Sequence, residues 1–170
     1  MHSANTVSRA QKWGDDVARP ALLAIYREVD ALLAPYGCEL SGDCCDVGIS
    51  GREPAPTTVE IAEVLHAAKR APHLKSRRLP LAEAPQRCAM LGDDGRCRIY
   101  ASRPFGCRTF FCERMTGPRK LPRAAILALS RRIAELSEQT FSRDPLPRPL
   151  SRWLSDAKGA DAHEALARNR

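Results

Sequence analysis

Aromatic side chains are scarce in this chain, and long hydrophobic runs are missing. Only 5% of the 170 residues are Phe, Trp or Tyr, so we do not expect a large aromatic core. No apolar segment approaches the roughly 20 residues that are needed to cross a bilayer, and no internal repeat indicates a solenoid. The length suits one domain with a modest core. These absences argue against a membrane-spanning protein and against a large multidomain enzyme.

The N-terminal segment lacks the basic stretch and apolar run of a secretory signal. We therefore expect a cytoplasmic protein. Structural disulfides are rare in that reducing compartment, and the seven cysteines are an odd number. Adjacent Cys44 and Cys45 could pair with each other only under strain. The sequence thus argues against a disulfide framework.

Cysteine is missing from the first 37 and the last 58 residues, and all seven cysteines fall between Cys38 and Cys112. A metal bound by thiolates needs several sulfur atoms at one point, which such clustering can supply. Soft sulfur ligands favour zinc or iron over magnesium or calcium. The pattern predicts a metal site, and the bound metal would add to the stability of the fold.

The spacing of the cysteines matches neither a zinc ribbon, which has two Cys-x-x-Cys knuckles, nor the compact ferredoxin run. The cysteines instead form three separate groups along the chain: first Cys38, Cys44 and Cys45, second Cys88 and Cys97, and third Cys107 and Cys112. Four thiolates would suffice for one zinc ion or one four-iron cluster. We rank the candidate ligands as Cys44, Cys88, Cys97 and Cys107 first, then Cys38 and Cys45, and last Cys112. No residue pattern identifies a catalytic group.

The end of the cysteine region resembles a known family. It reads Cys97-Arg-Ile-Tyr-Ala-Ser-Arg-Pro-Phe-Gly-Cys107-Arg-Thr-Phe. This is similar to the signature C-x-I-Y-x-x-R-P-x-x-C-R-x-F of the CxxCxxCC zinc- or iron-chelating domain, also called the YkgJ-like cysteine-cluster family. The upstream segment resembles the family's Cys-x-x-Cys-x-x-Cys-Cys, with Ser41 in place of the second cysteine. The resemblance covers about residues 36–112, and it implies zinc, iron or an iron–sulfur cluster as cofactor.

Charged and aromatic residues accompany the later cysteines. Positive charges favour thiolates and would offset the charge of a sulfur-bound cluster. Four arginines are placed to do so: Arg96, Arg98, Arg103 and Arg108. Apolar residues around a metal centre control its access to solvent. We expect such a wall from Tyr100, Phe105, Phe110 and Phe111.

Helical periodicity predicts the scaffold around the cysteines. We expect a first helix that begins at Pro20 and stops at Pro35, with an apolar stripe that includes Leu22, Ile25 and Val29. Thr57 and Glu60 have the spacing of a capping box, which predicts a helix over about 58–70. Residues 123–140 carry a further apolar stripe, which predicts a last helix. Its members are Ile126, Leu129, Ile133 and Leu136.

The predicted fold class is mostly α, with an irregular, loop-rich metal-binding core and a small β-hairpin over 88–100 around the turn Gly92-Asp93-Asp94-Gly95. The loop 38–56 should be irregular. We divide the single domain into an N-terminal helical segment (1–37), a cysteine-cluster metal-binding core (38–112), a C-terminal helix packed on the core (113–142) and a Pro-rich, basic tail (143–170). We expect the tail to dock loosely or to be disordered.

The net charge is +7, and most of the excess lies in residues 113–170. It could attract an acidic partner or nucleic acid, although no aromatic residues are interleaved with the basic ones for base stacking. No membrane partner is expected. Three functions stay open: an iron or iron–sulfur redox protein or small enzyme, a structural zinc module that serves as a protein- or nucleic-acid-binding platform, and a protein that binds zinc or iron transiently.

Overall fold

The computed structural model describes residues 17–36, 45–71, 87–110, 120–141 and 147–156. The described chain is mostly helical, as predicted, and within these ranges it contains no β-strand. The helices are α1 (Ala18–Leu33), α2 (Val47–Ser50), α3 (Thr58–Arg70), α4 (Phe105–Arg108), α5 (Arg123–Thr140) and α6 (150–156), with a 3-10 turn at Tyr100–Ser102. No helix in this part of the chain is long and apolar enough to cross a membrane.

Helix α1 buries the stripe that its sequence predicts. Leu22, Ile25 and Val29 are all buried. The helix begins at Ala18, so the predicted start at Pro20 is wrong by two residues. A proline is tolerated there because the N–H groups of the first turn have no acceptor within the helix. The helix ends at Leu33, just before Pro35, as expected.

Helix α3 has the predicted bounds and the predicted capping box. The backbone N–H of Thr57 donates to Oε2 of Glu60 at 2.9 Å, and the Thr57 side chain accepts from the backbone at the start of the helix. Every residue from Thr58 to Val64 is at most 3% exposed. A helix that is buried on all sides has packing partners on opposite faces. Helix α3 is therefore the central element of the fold.

One face of α3 packs in a cluster that we call the helical side, formed by α1, α3 and α5. Val59 and Ala62 of α3 belong to this cluster, together with the α1 stripe and with Leu129 and Ile133 of α5. Helix α5 has the predicted bounds, and Ile126 and Leu136 of its stripe pack against the cluster while partly buried. The helical side is thus held by apolar side chains on three long helices.

The opposite face of α3 packs in a second cluster, which we call the cysteine side. Ile61 and Val64 of α3 meet Met90 and Ile99 of an irregular segment and three residues of α6, namely Leu150, Trp153 and Leu154. Cys88 and Cys97 are partly buried and pack against this cluster. The cysteine-bearing segment therefore lies on α3 through its apolar side chains.

Helix α6 corrects the expectation for the tail, which is wrong for residues 150–156. Trp153 is completely buried, and its indole Nε1 donates to the carbonyl oxygen of Pro56 at 3.1 Å. The N–H of Leu150 donates to the carbonyl oxygen of Pro54 at 2.9 Å. Helix α6 is too short for its sequence to show a clear hydrophobic period. Its Trp153 side chain is nevertheless buried in the apolar cluster of the cysteine side.

The segment around Cys88 and Cys97 turns back on itself at 92–95, where a turn was predicted. The β-hairpin predicted over 88–100 is not present: the segment closes a single isolated bridge between Leu91 and Cys97, and no paired strands form within the described residues 87–110. The N–H of Arg98 donates to the carbonyl oxygen of Met90 at 2.9 Å. Gly95 has φ +74°, which favours glycine. The described part of the loop predicted as irregular also contains the short helix α2.

Candidate metal centre

Four of the seven candidate ligands lie in the described part of the chain: Cys45, Cys88, Cys97 and Cys107. Each is partly buried, and none of these four forms a disulfide. The other three candidates, Cys38, Cys44 and Cys112, lie outside the described residues.

Cys45 and Cys88 are neighbours in space. The backbone N–H of Cys88 donates to the carbonyl oxygen of Cys45 at 2.8 Å. Next to them, Asp46 and Arg87 form an isolated antiparallel bridge, and their side chains lie 3.7 Å apart at Oδ2 and Nε. The structure thus brings the first and second cysteine groups together through backbone contacts.

Cys88 and Cys97 lie on opposite sides of the turn at 92–95 in the sequence. The N–H of Leu91 donates to the carbonyl oxygen of Cys88 at 3.0 Å, and Leu91 also forms the bridge to Cys97. Both cysteines pack against the apolar cluster of the cysteine side. Their position is therefore tied to α3 and α6.

Cys107 lies in the short helix α4, where its N–H donates to the carbonyl oxygen of Pro104 at 2.9 Å. Cys45 and Cys107 line the same small cavity of about 70 Å³, together with Arg52, Pro54 and Phe110. Cys45 thus shares a cavity with Cys107 and a backbone hydrogen bond with Cys88.

The predicted aromatic wall is only partly present. Phe110 lines the cavity of Cys45 and Cys107, and the guanidinium of Arg52 lies 5.4 Å from the centre of its ring. Phe105 packs against the helical side instead. Tyr100 is 42% exposed, so its assignment to a shielding wall is wrong. Phe111 lies outside the described residues.

Helix α4 is anchored by the buried carboxylate of Glu60. Its Oε1 accepts the N–H of Phe105, the first residue of α4, at 2.6 Å, while its Oε2 accepts the N–H of Thr57. Burial raises the pKa of Glu60 above its ordinary value, although the hydrogen bonds from Thr57, Phe105 and Tyr26 act in the opposite direction. One side chain therefore caps α3 and also fixes the start of the turn that carries Cys107.

Arg108 anchors the other end of α4. Its Nη1 pairs with Oδ2 of Asp30 at 2.6 Å, its Nε donates to the carbonyl oxygen of Arg103 at 2.9 Å, and its Nη2 donates to that of Ala101. The guanidinium also lies 4.0 Å from the ring centre of Tyr26. Arg108, which was expected among the cysteine thiolates, thus holds α4 and the segment before it against α1.

The other arginines around the later cysteines have different surroundings. Arg103 lies over the ring of Tyr100, 3.9 Å from its centre. Arg98 lies 3.9 Å from the carboxylate of Asp93, and Arg96 is exposed. These arginines are close together in the sequence, but in the structure their side chains lie in different surroundings.

Two buried polar residues were not singled out from the sequence. The phenol of Tyr26 is buried, which raises its pKa well above the ordinary value, and the nearby charges of Glu60 and Glu63 act in the same direction. Glu63 is completely buried. Its spacing of three residues from the capping Glu60 would place both on one face of the helix, which is the signal that could have indicated a polar contact there.

The described cysteines meet in pairs and not as a complete ligand set. Among the residues that the structure describes, no group of three or more His, Cys, Asp or Glu side chains is placed to hold a metal ion. Cys45 shares a backbone hydrogen bond with Cys88 and a cavity with Cys107, and Leu91 contacts both Cys88 and Cys97. Thiol donors suit zinc and iron. The donor chemistry therefore fits these metals.

These features define a cysteine-rich, mostly helical domain. Residues 37–124 match the family model described as "CxxCxxCC: Putative zinc- or iron-chelating domain". The match covers just over half of the chain. The protein therefore belongs to this family. Comparisons with curated proteins and with solved structures found no match.

Proposed function

We propose that this protein binds a zinc or iron centre through cysteine thiolates where three segments meet: the chain around Cys45, the turn from Cys88 to Cys97, and helix α4 with Cys107. The observation that carries the proposal is the position of Cys45. It shares a cavity with Cys107 and a backbone hydrogen bond with Cys88. Segments that are far apart in the sequence thus approach one another at cysteine residues.

The proposed ligand set draws on all seven cysteines. Cys44, Cys88, Cys97 and Cys107 are the first candidates, and Cys38 and Cys112 are further ones. Cys45 joins these first candidates because it shares a backbone hydrogen bond with Cys88 and a cavity with Cys107. A cytoplasmic location belongs to the proposal, since thiols stay reduced there.

The cysteine side supplies a physical reason for a metal. Its described loop segments are linked by isolated bridges and single hydrogen bonds and not by a sheet. A metal that joins several thiolates contributes directly to folding free energy. With zinc the centre would be structural, and with iron or an iron–sulfur cluster it would also exchange electrons.

Metal analysis of protein purified without oxygen tests the proposal. An iron–sulfur centre gives brown protein that absorbs near 400 nm from sulfur-to-iron charge transfer. Colourless protein with about one tightly held zinc indicates the structural form. Loss of metal to a mild chelator without unfolding indicates transient binding. Protein that holds no zinc or iron after reconstitution under reducing conditions would overturn the proposal.

Two single substitutions identify ligands. We expect Cys107→Ser and Cys45→Ser each to reduce the metal content of the purified protein to less than about half, because a missing thiolate opens a four-coordinate site. Ala128→Ser is a matched control, since it adds a hydroxyl on an exposed position of α5. Full metal occupancy in Cys107→Ser would remove Cys107 from the ligand set.

A further inference from the structure

A second cavity, of about 330 Å³, lies between α1, the C-terminal half of α3 and the 3-10 turn. None of the four described cysteines lines it. Three arginines do, namely Arg19, Arg70 and Arg98, together with His66. Among the described residues, the one carboxylate in the lining belongs to Glu63. The cavity is therefore basic.

The carboxylate of Glu63 is already engaged within the protein. Its Oε2 accepts from Nε of Arg19 at 2.6 Å, and its Oε1 accepts from Nη2 of the same arginine at 3.2 Å and from the hydroxyl of Ser102 at 2.8 Å. This two-point pair offsets the charge of Glu63, whose side chain is only 1% exposed. Among the described lining residues, Arg70 and Arg98 then leave an excess of two positive charges.

Neither of these two arginines is tightly held by a carboxylate within the described residues. Nη1 of Arg70 lies 3.3 Å from Nε2 of His66. An arginine can only donate, so that ring nitrogen accepts the hydrogen bond. Nη2 of Arg98 lies 3.9 Å from Oδ2 of Asp93, whose side chain is 73% exposed. A long pair at the surface is weak, so both guanidiniums are available to a ligand.

We propose that this cavity binds a small molecule through its oxyanion, a phosphoryl or carboxylate group held by Arg70 and Arg98. The planar fork of a guanidinium matches both groups with paired hydrogen bonds. The volume lies at the lower end of the range for small-molecule sites. Arg98 and Ser102 lie on the segment between Cys97 and Cys107, but the proposal does not depend on the metal centre.

The test uses the full chain in its purified state. Inorganic phosphate and succinate are titrated separately at constant ionic strength, and binding is followed by calorimetry. We expect saturable binding of at least one anion, weakened about tenfold by Arg70→Ala. Arg70→Lys should lose part of the affinity, because it keeps the charge and loses the fork.

Arg131→Ala is the matched control, since it removes an exposed arginine from α5 that does not line the cavity. It should change the affinity less than about twofold, because exposed charges at a distance are screened. Arg19 is unsuitable, because its removal would leave the buried charge of Glu63 without a partner. Binding of phosphate alone or of succinate alone supports the proposal and identifies the group.

Absence of saturable binding, or equal weakening by Arg70→Ala and Arg131→Ala, would overturn it. Metal content is measured on the same samples. We expect Arg70→Ala to keep that of the unsubstituted protein, so failure of the anion site is distinguishable from failure of the metal centre.

Discussion

The two sides of α3 are built in different ways. On the helical side, long helices α1 and α5 bury regular apolar stripes against Val59 and Ala62. On the cysteine side, the same helix meets short turns, isolated bridges and the two-turn helix α6. The difference shows how a small irregular region can be held in place. A regular helix supplies the rigid support, and single anchors fix each segment to it.

The anchors of the segments that carry the cysteines are few and specific. Trp153 covers the apolar residues of α3 and bonds to Pro56. Glu60 and Arg108 fix the two ends of α4. We therefore expect loss of one anchor to destabilise the protein much more than loss of one surface ion pair on the helical side.

Removal of Trp153 should have the largest effect. We expect Trp153→Ala to lower the free energy of unfolding by about 4 kcal/mol, because it leaves a large cavity in the cluster and an unpaired carbonyl oxygen at Pro56. Trp153→Phe, which keeps most of the apolar volume, should cost less than half as much. Denaturant unfolding followed by circular dichroism measures both. Equal stability of Trp153→Ala and the unsubstituted protein would show that α6 does not hold the cysteine side.

Removal of Arg108 should come next. We expect Arg108→Ala to lower the free energy of unfolding by about 3 kcal/mol, because the buried Arg108 side chain leaves a cavity, the carbonyl oxygens of Ala101 and Arg103 lose their donor and Asp30 loses its partner. Arg132→Ala is the control on the helical side, where Arg132 pairs with the exposed carboxylate of Glu28. Its denaturation midpoint should hardly change. Similar losses in the two variants would remove the contrast between the sides.

The smallest effect is expected in the titration of Glu28. The hydrogen bond from Arg132 lowers the pKa of this carboxyl below its ordinary value. A lowered pKa means that the stabilisation is present above the ordinary pKa and is lost as the pH falls through the folded value. Titration followed by NMR should give a higher pKa for Glu28 in Arg132→Ala than in the unsubstituted protein. An identical pKa would show that the pair does not persist in solution.

Local signals predicted the helices on and around α3. The capping box of Thr57 and Glu60 fixed the start of α3, and the stripe with Leu129 and Ile133 located α5, because both signals depend on residues within a few turns of each other. The cysteine motif located candidate ligands in the same local way. The match to the family model confirmed the family resemblance that the cysteine motif had indicated.

Contacts between distant segments could not be predicted from these patterns. Glu60 was singled out as a cap, but its bond to Phe105 joins residues that are 45 positions apart. Arg108 was predicted to lie near cysteine thiolates, whereas its carboxylate partner Asp30 is 78 positions away in the sequence. A single sequence shows what each side chain can bind. It does not show which partner the fold brings to it.

The contact between Trp153 and Pro56 also bears on the order of events during synthesis. It joins residues that are 97 positions apart, and the chain is made from the N-terminus. Helices α1, α3 and α5 have all been synthesised before Trp153 is added. The cysteine side therefore remains uncovered by α6 while the chain is being made. Any metal delivered in that interval would reach these thiols before α6 closes over α3.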